Sequence, residues 1–225
     1  MTKLDAAAHH TRARDAFHAF VDHPAFSCLA ARGVVNSGGS EVRAYGAMGS
    51  KRSTRSLARN LGAFVDESDT DDHSLRSFVA VFSGSHFADE LAFERDLWRQ
   101  LQALHEHDPD ADAWAPGVSD DPDDPQFAFS FRKTAWFVIG LHPNASRIAR
   151  RFQWPALVFN PRAQFDNLRA TGRFEPLRGK VREREIALQG SLNPNLADFG
   201  ERSEARQYSG RVAEDSWRCP FHRST

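Results

Sequence analysis

The strongest constraint on this fold lies in residues 127–167, FAFSFRKTAWFVIGLHPNASRIARRFQWPALVFNPRAQFDN. Two apolar runs, 127–131 and 135–141, are separated only by polar residues around Arg132 and Lys133. Phe127, Phe129 and Phe131 alternate, which predicts a half-buried strand. Residues 135–141 are continuously apolar, which predicts a strand covered on both faces. His142 stands where that strand ends. Pro143 disfavours helix at His142 and suits the first turn of a helix that would carry Arg147, Arg150 and Arg151. An imidazole between a strand and a helix start is held as firmly as a ligand or catalytic group needs to be. A structural histidine that caps or hydrogen-bonds fits the same residues. A third apolar run, 156–159, follows.

Charge excludes little and favours little. With 29 Lys and Arg against 30 Asp and Glu, the net charge is −1. That gives no whole-chain argument for nucleic acid or for an anionic membrane surface. Eighteen Phe against 2 Tyr suggest a phenylalanine-lined interior, suited to a core or to a flat aromatic ligand. Cys28 and Cys219 are too few for a disulfide framework. The first twenty residues have no apolar signal-like region, and no run approaches a membrane span. The expectation is a soluble cytoplasmic protein with reduced thiols.

The remaining segments point to one α+β domain over 1–225, a mixed or antiparallel sheet with surrounding helices. Residues 1–11 read as polar and frayed, and Phe17, Phe20 and Val21 as one face of a short helix. Residues 46–51 lack the glycine and lysine spacing of a phosphate loop. Residues 54–65 and 89–105 read as helices, the second with Leu91, Leu97, Trp98, Leu101 and Leu104 as its apolar stripe. Residues 78–82, FVAVF, read as a buried strand, with His86 just past it. His105 and His107 read as favourable charges near a helix C-terminus. Residues 108–125, rich in Asp and Pro around Trp114, form a long loop and a candidate lid. Asn160 and Pro161 suit an N-cap and first turn, with Phe165 and Leu168 on the helix that follows. A further helix starts within 176–184, and residues 186–188 read as a strand.

Four long segments carry a resemblance: 83–108 (SGSHFADELAFERDLWRQLQALHEHD), 137–174 (FVIGLHPNASRIARRFQWPALVFNPRAQFDNLRATGRF), 188–211 (LQGSLNPNLADFGERSEARQYSGR) and 217–221 (WRCPF). They resemble the YqcI/YcgG family of bacterial proteins, which includes heme-dependent guanidine N-hydroxylases. The segment Phe26-Ser27-Cys28-Leu29 resembles the family's earlier cysteine segment, with Ser27 in place of an expected proline.

The resemblance implies a b-type heme, with dioxygen or peroxide as oxidant and an external electron donor. It implies a small guanidine or amine substrate of arginine type, with no nucleic acid or membrane partner; a homodimer is compatible with it. A heme needs an axial ligand, apolar walls and cations for its propionates. His142 would supply the ligand, with Cys219 as the rival. Phe137, Trp154, Phe159 and Phe165 would supply walls, and Arg147, Arg150 and Arg151 the cations. A cationic guanidinium calls for a carboxylate. Glu204 leads that group, beside Asp198, Glu201 and Glu94, while Arg206 would meet a substrate carboxylate and His86 is a further catalytic candidate. A heme-binding sensor or carrier without turnover is the competing expectation.

Overall fold

The computed structural model describes residues 3–24, 26–67, 75–196 and 201–223. The elements run α1 (Lys3–Asp22), α2 (Leu29–Asn36), β1 (Ser40–Tyr45), α3 (Lys51–Asp66), β2 (Ser77–Phe82), α4 (Glu90–His105), β3 (Phe129–Phe131), β4 (Thr134–Leu141), β5 (Ala156–Pro161), α5 (Ala163–Ala170) and α6 (Phe174–Gln189). Short 3-10 turns at Ile148–Arg150 and Glu204–Gln207 complete the set. The fold is α+β, and among the described residues the five strands form a sheet of order β1-β2-β5-β4-β3. β1 and β2 are parallel, joined through α3, and the other pairings are antiparallel, so the sheet is mixed.

Side-chain alternation sorts the strands onto two faces. Phe78, Ala80 and Phe82 of β2 face a large core with Leu57, Leu61 and Phe64 of α3 and Phe93, Leu97 and Leu101 of α4. Val79 and Val81 face a smaller core with Ala13, Phe17 and Val21 of α1. β2 is therefore buried at every position, as expected for FVAVF. Each fully buried Phe or Leu contributes about 1.5–3 kcal/mol of transfer free energy. α3 and α4 start with ordinary caps: the Ser50 hydroxyl accepts from Ser53 N–H, and the Asp89 carboxylate accepts from Ala92 N–H.

Segments 204–211 and 217–221 close the larger core. Ala205, Tyr208 and Phe221 are buried, and Cys219 nearly so. Beyond Trp136, β4 has no strand on its β3 side among the described residues. Tyr208 fills that place: Gly140 N–H donates to Tyr208 O at 2.6 Å. An open strand edge is thereby covered by its own chain.

Several expectations are corrected. Residues 3–11 belong to α1. Residues 127–131 are buried throughout, and only 129–131 form strand, because loop 108–125 and the tail cover the outer face. β4 is fully buried on one face only, with Phe137 and Ile139 half-buried on the other. Pro143 begins a turn rather than a helix, so the arginines sit on a loop with one 3-10 turn. Asn160 and Pro161 end β5. Asn160 is held there by side-chain bonds with Ser77 and the Phe137 carbonyl. Residues 186–188 are helical, the last turn of α6, which ends at the left-handed Gly190. Leu91 is 60% exposed rather than part of the α4 stripe. His105 is buried against Trp114 and Phe221, so it is a neutral core group rather than a surface charge.

Loop 108–125 is stitched down at several points. Trp114 Nε1 donates to Ser119 O, and Ala115 N–H donates to Ser130 Oγ. Its first acids grip the β3–β4 hairpin, whose two turn residues, Arg132 and Lys133, both take positive φ. A non-glycine residue there costs roughly 1–2 kcal/mol. Arg132 N–H donates to Asp108 at 2.8 Å, and Asp110 pairs with both side chains, which offsets part of that strain.

Candidate functional site

β4 organises the site, because buried polar groups meet both of its ends. At the C-terminal end His142 is fully buried. Its backbone N–H donates to Arg150 O at 3.0 Å, which anchors the turn. Its ring stacks on Phe93 of α4, with centroids 4.3 Å apart and planes 24° apart. Among the described residues neither ring nitrogen has a hydrogen-bond partner. A buried polar atom left unmatched costs about 1–3 kcal/mol, so such an atom calls for a reason. Burial lowers the His142 pKa, with a smaller opposing pull from Glu90. The imidazole is therefore held neutral.

The loop after β2 packs beside this turn. Asn144 donates to the Phe87 carbonyl, the Glu90 carboxylate accepts from Ser146, and Phe87 meets Phe93 edge-on. His86 lies in that loop, exposed.

The three arginines of the following loop are all engaged. Arg147 is buried and grips Glu185 of α6 through Nε and Nη2 at 3.1 and 2.5 Å. It also reaches Ser191, and Ser27 donates to the other oxygen of Glu185. Arg150 donates to the carbonyls of Gly140, Gln207 and Tyr208, tying β4 to the tail. Burial pushes its pKa down to about 10, which still leaves it charged at neutral pH. Arg151 donates to the carbonyls of Ala145 and Ser146.

The N-terminal half of β4 meets a second polar group. Glu204 is buried, with Oε2 accepting from Arg162 at 2.7 Å. Its Oε1 lies 2.9 Å from the Tyr208 hydroxyl. That hydroxyl also lies 3.0 Å from the Trp136 carbonyl oxygen and accepts from Phe129 N–H at 3.2 Å. Burial pushes the Glu204 carboxyl up to about 7, against the opposing pull of Arg162. Glu94 is likewise paired, with Arg211 and Ser209.

The structure thus brings His142 and Arg150 together around the end of β4 and disperses the other expected residues. Phe159 lies in the main core against Trp136, and Phe165 meets Phe137 edge-on. Arg206 clasps the tail, donating to the carbonyls of Trp217 and Glu214 with its guanidinium over the Trp217 ring. Cys219 borders an open cleft of about 540 Å³ with Asp123 and Arg218. Burial pushes its thiol up to about 12, so it stays protonated. Glu201 is exposed, and Asp198 lies outside the described residues. Phe93, Tyr208, Arg162 and Glu185 are the site residues that pattern reading passed over. Tyr208 carried one signal, since one of only two tyrosines stood inside a motif.

A heme fits this site in one respect. A neutral, buried, unpartnered imidazole is the chemistry an axial position requires. Phe87 and Phe93 supply aromatic surface beside it. The arginines fit less well, because each already holds protein groups. Among the described residues no three His, Cys, Asp or Glu side chains converge as a metal cage, and a single axial ligand needs none. Among them, too, no helix is long and apolar enough to cross a membrane.

Comparison with known proteins places the chain. It is 30% identical over 135 residues to the uncharacterized protein YqcI of Bacillus subtilis (strain 168), which covers 57% of this chain. The chain spans about half, 52%, of that relative's length. No solved structure matches. The sequence pattern of the YqcI/YcgG family matches residues 17–222. That match takes in β4, His142 and both buried arginine–glutamate pairs with Arg147 and Arg162, and on it the chain belongs to the YqcI/YcgG family.

Proposed function

We propose that this chain is a heme-dependent N-oxygenase that hydroxylates a guanidine or amine nitrogen of a small, arginine-like metabolite. The observation that supports it most is His142, a buried imidazole with two unpartnered nitrogens, inside the stretch that resembles guanidine N-hydroxylases. Heme iron, when bound, supplies the oxygen activation that no side chain provides, with dioxygen or peroxide as oxidant and an external electron donor. His142 would hold the axial position. Burial keeps its imidazole in the neutral, ligand-competent form. Phe93 holds the ring plane, and Arg150 holds the turn that carries His142 against β4. Cys219 is the weaker ligand, because its acidic neighbours Asp123 and Glu94 add to burial in keeping the thiol protonated.

One observation favours a second reading, a heme-binding sensor or carrier without turnover. Glu204 and Glu94, the carboxylates expected to meet a substrate guanidinium, already hold the chain's own Arg162 and Arg211. Optical spectra of protein produced with ample heme precursor test both readings. We expect one heme per chain, a histidine-type ferrous carbon monoxide spectrum, and loss of that spectrum in His142→Ala. A folded, colourless product would end both readings. Oxygen consumption and N-hydroxy product with arginine or agmatine, reductant and oxygen separate the enzyme from the sensor.

A further inference from the structure

The Tyr208 hydroxyl has one proton to give and two acceptor oxygens within hydrogen-bond distance. Register pairs Phe129 of β3 with Trp136 of β4. The Tyr208 oxygen sits between the N–H of one and the C=O of the other, at 3.2 and 3.0 Å. A backbone carbonyl only accepts, so the Tyr208 proton must point at Trp136 O for that contact to be a hydrogen bond. Glu204 Oε1 lies 2.9 Å from the same phenolic oxygen. With the tyrosine proton spent on Trp136, two unprotonated oxygens would face each other there. A proton on Glu204 Oε1 resolves this. The acid donates to Tyr208, Tyr208 donates to Trp136 O, and Phe129 N–H fills the second lone pair of Tyr208. Arg162 keeps its 2.7 Å bond to Oε2, which becomes the carbonyl oxygen of the neutral acid.

We propose that the Glu204 carboxyl keeps its proton in the folded chain up to about neutral pH, and that this proton latches the 204–211 tail onto β4. Four observations fit: the geometry above, the burial of Glu204 and Tyr208, the upward displacement of both groups, and the single-point contact with Arg162. The groups that face Glu204 are Arg162 and Arg169 from the α5 segment and Tyr208 from its own tail; Cys219 faces Tyr208 in turn. β3 and β4 contribute only backbone polar groups to the bridge. Tyr208 O also caps the open edge of β4 at Gly140. Loss of the proton therefore weakens the cover over the whole edge that leads to His142.

The sign of the pH dependence follows. The carboxyl moves from an ordinary 4.5 to about 7 on folding, so between those values the folded chain holds a proton that the unfolded chain has released. Stability falls as pH rises through that window and levels above it.

Infrared difference spectra of wild type against Glu204→Gln test the proton directly. We expect a protonated-carboxyl band at pH 6 that fades by pH 9 and is missing in the variant. A difference spectrum at pH 6 containing only carboxylate bands overturns the assignment. Urea unfolding from pH 5 to 9 tests the latch. The glutamine amide donates to Tyr208 as the acid does, so the variant should stay folded and lose the slope. We expect the wild-type unfolding constant to rise on the order of 100-fold relative to the variant across the window. Equal slopes in the two proteins would also refute the proposal.

Discussion

Gly140→Ala is the sharpest test of how β4, α4 and the tail meet. A Cβ there would lie 2.7 Å from Phe93 Cε1, 2.9 Å from Leu97 Cδ1 and 2.8 Å from Tyr208 O. The first two are side-chain atoms, but both belong to the fully buried face of α4. The third is backbone, pinned by Gly140 N–H at 2.6 Å and by Arg150. Forcing a methyl into packed core costs about 1–3 kcal/mol. Loosening the Gly140–Tyr208 hydrogen bond costs about 1 kcal/mol more. Replacing glycine by alanine restricts the unfolded chain and returns about 0.4–1 kcal/mol. The balance is a destabilisation of roughly 1–3.5 kcal/mol, opposite in sign to the usual effect of this substitution in unhindered backbone. Urea unfolding at pH 6 measures it, and limited proteolysis reports whether the tail has lifted. A variant within about 0.5 kcal/mol of the parent, with an equally protected tail, would show that the tail does not pack on β4 as described.

Other outcomes follow from single contacts. Glu185→Ala leaves buried Arg147 without its carboxylate and should cost about 3–5 kcal/mol, read by thermal or urea unfolding; a surface-like loss below about 1 kcal/mol would contradict the burial of that pair. His142→Phe removes two unpartnered nitrogens and keeps a ring against Phe93, so heme-free protein should be as stable as the parent or gain on the order of 1 kcal/mol, while any histidine-type heme spectrum disappears. Cys219 should resist iodoacetamide at pH 8 until the chain is unfolded, because its thiol is buried and pushed up to about 12; rapid alkylation of native protein would count against that environment. A chain cut before Ser203 loses Tyr208 and Phe221 from the core and should give a broadened, weakly cooperative unfolding transition by circular dichroism.

Patterning made the fold class legible, along with the buried strand at FVAVF, the helices around 54–65 and 89–105, and the place of His142 at a strand end. Each rests on local periodicity or on a single strong punctuation residue. Contacts between distant segments were not legible. Arg147, Arg150 and Arg151 read as a cationic face because their spacing suits a helix. Their real partners lie on α6, on the tail and within their own loop, and no spacing rule reaches that far. His105 and His107 differ by two positions, and only the fold shows that one is core and the other surface. By sequence Glu204 reads as a partner for a ligand cation, whereas the chain already supplies Arg162 to it. A buried carboxylate and a substrate-binding carboxylate look alike in sequence, because what distinguishes them is the cation that faces them.

The cover over β4 also has a history in time. On the ribosome β4 and β5 emerge well before Tyr208, which is made 68 residues after Gly140. At ordinary elongation rates that gap is about 3 to 14 s, long compared with strand pairing. Throughout it the nascent chain presents the Phe137 to Leu141 edge with its neighbour still unmade. Expression yield should therefore depend on how fast the message between β5 and Tyr208 is read. Slow codons between 162 and 208 would prolong the interval in which one growing chain can pair its edge with that of another.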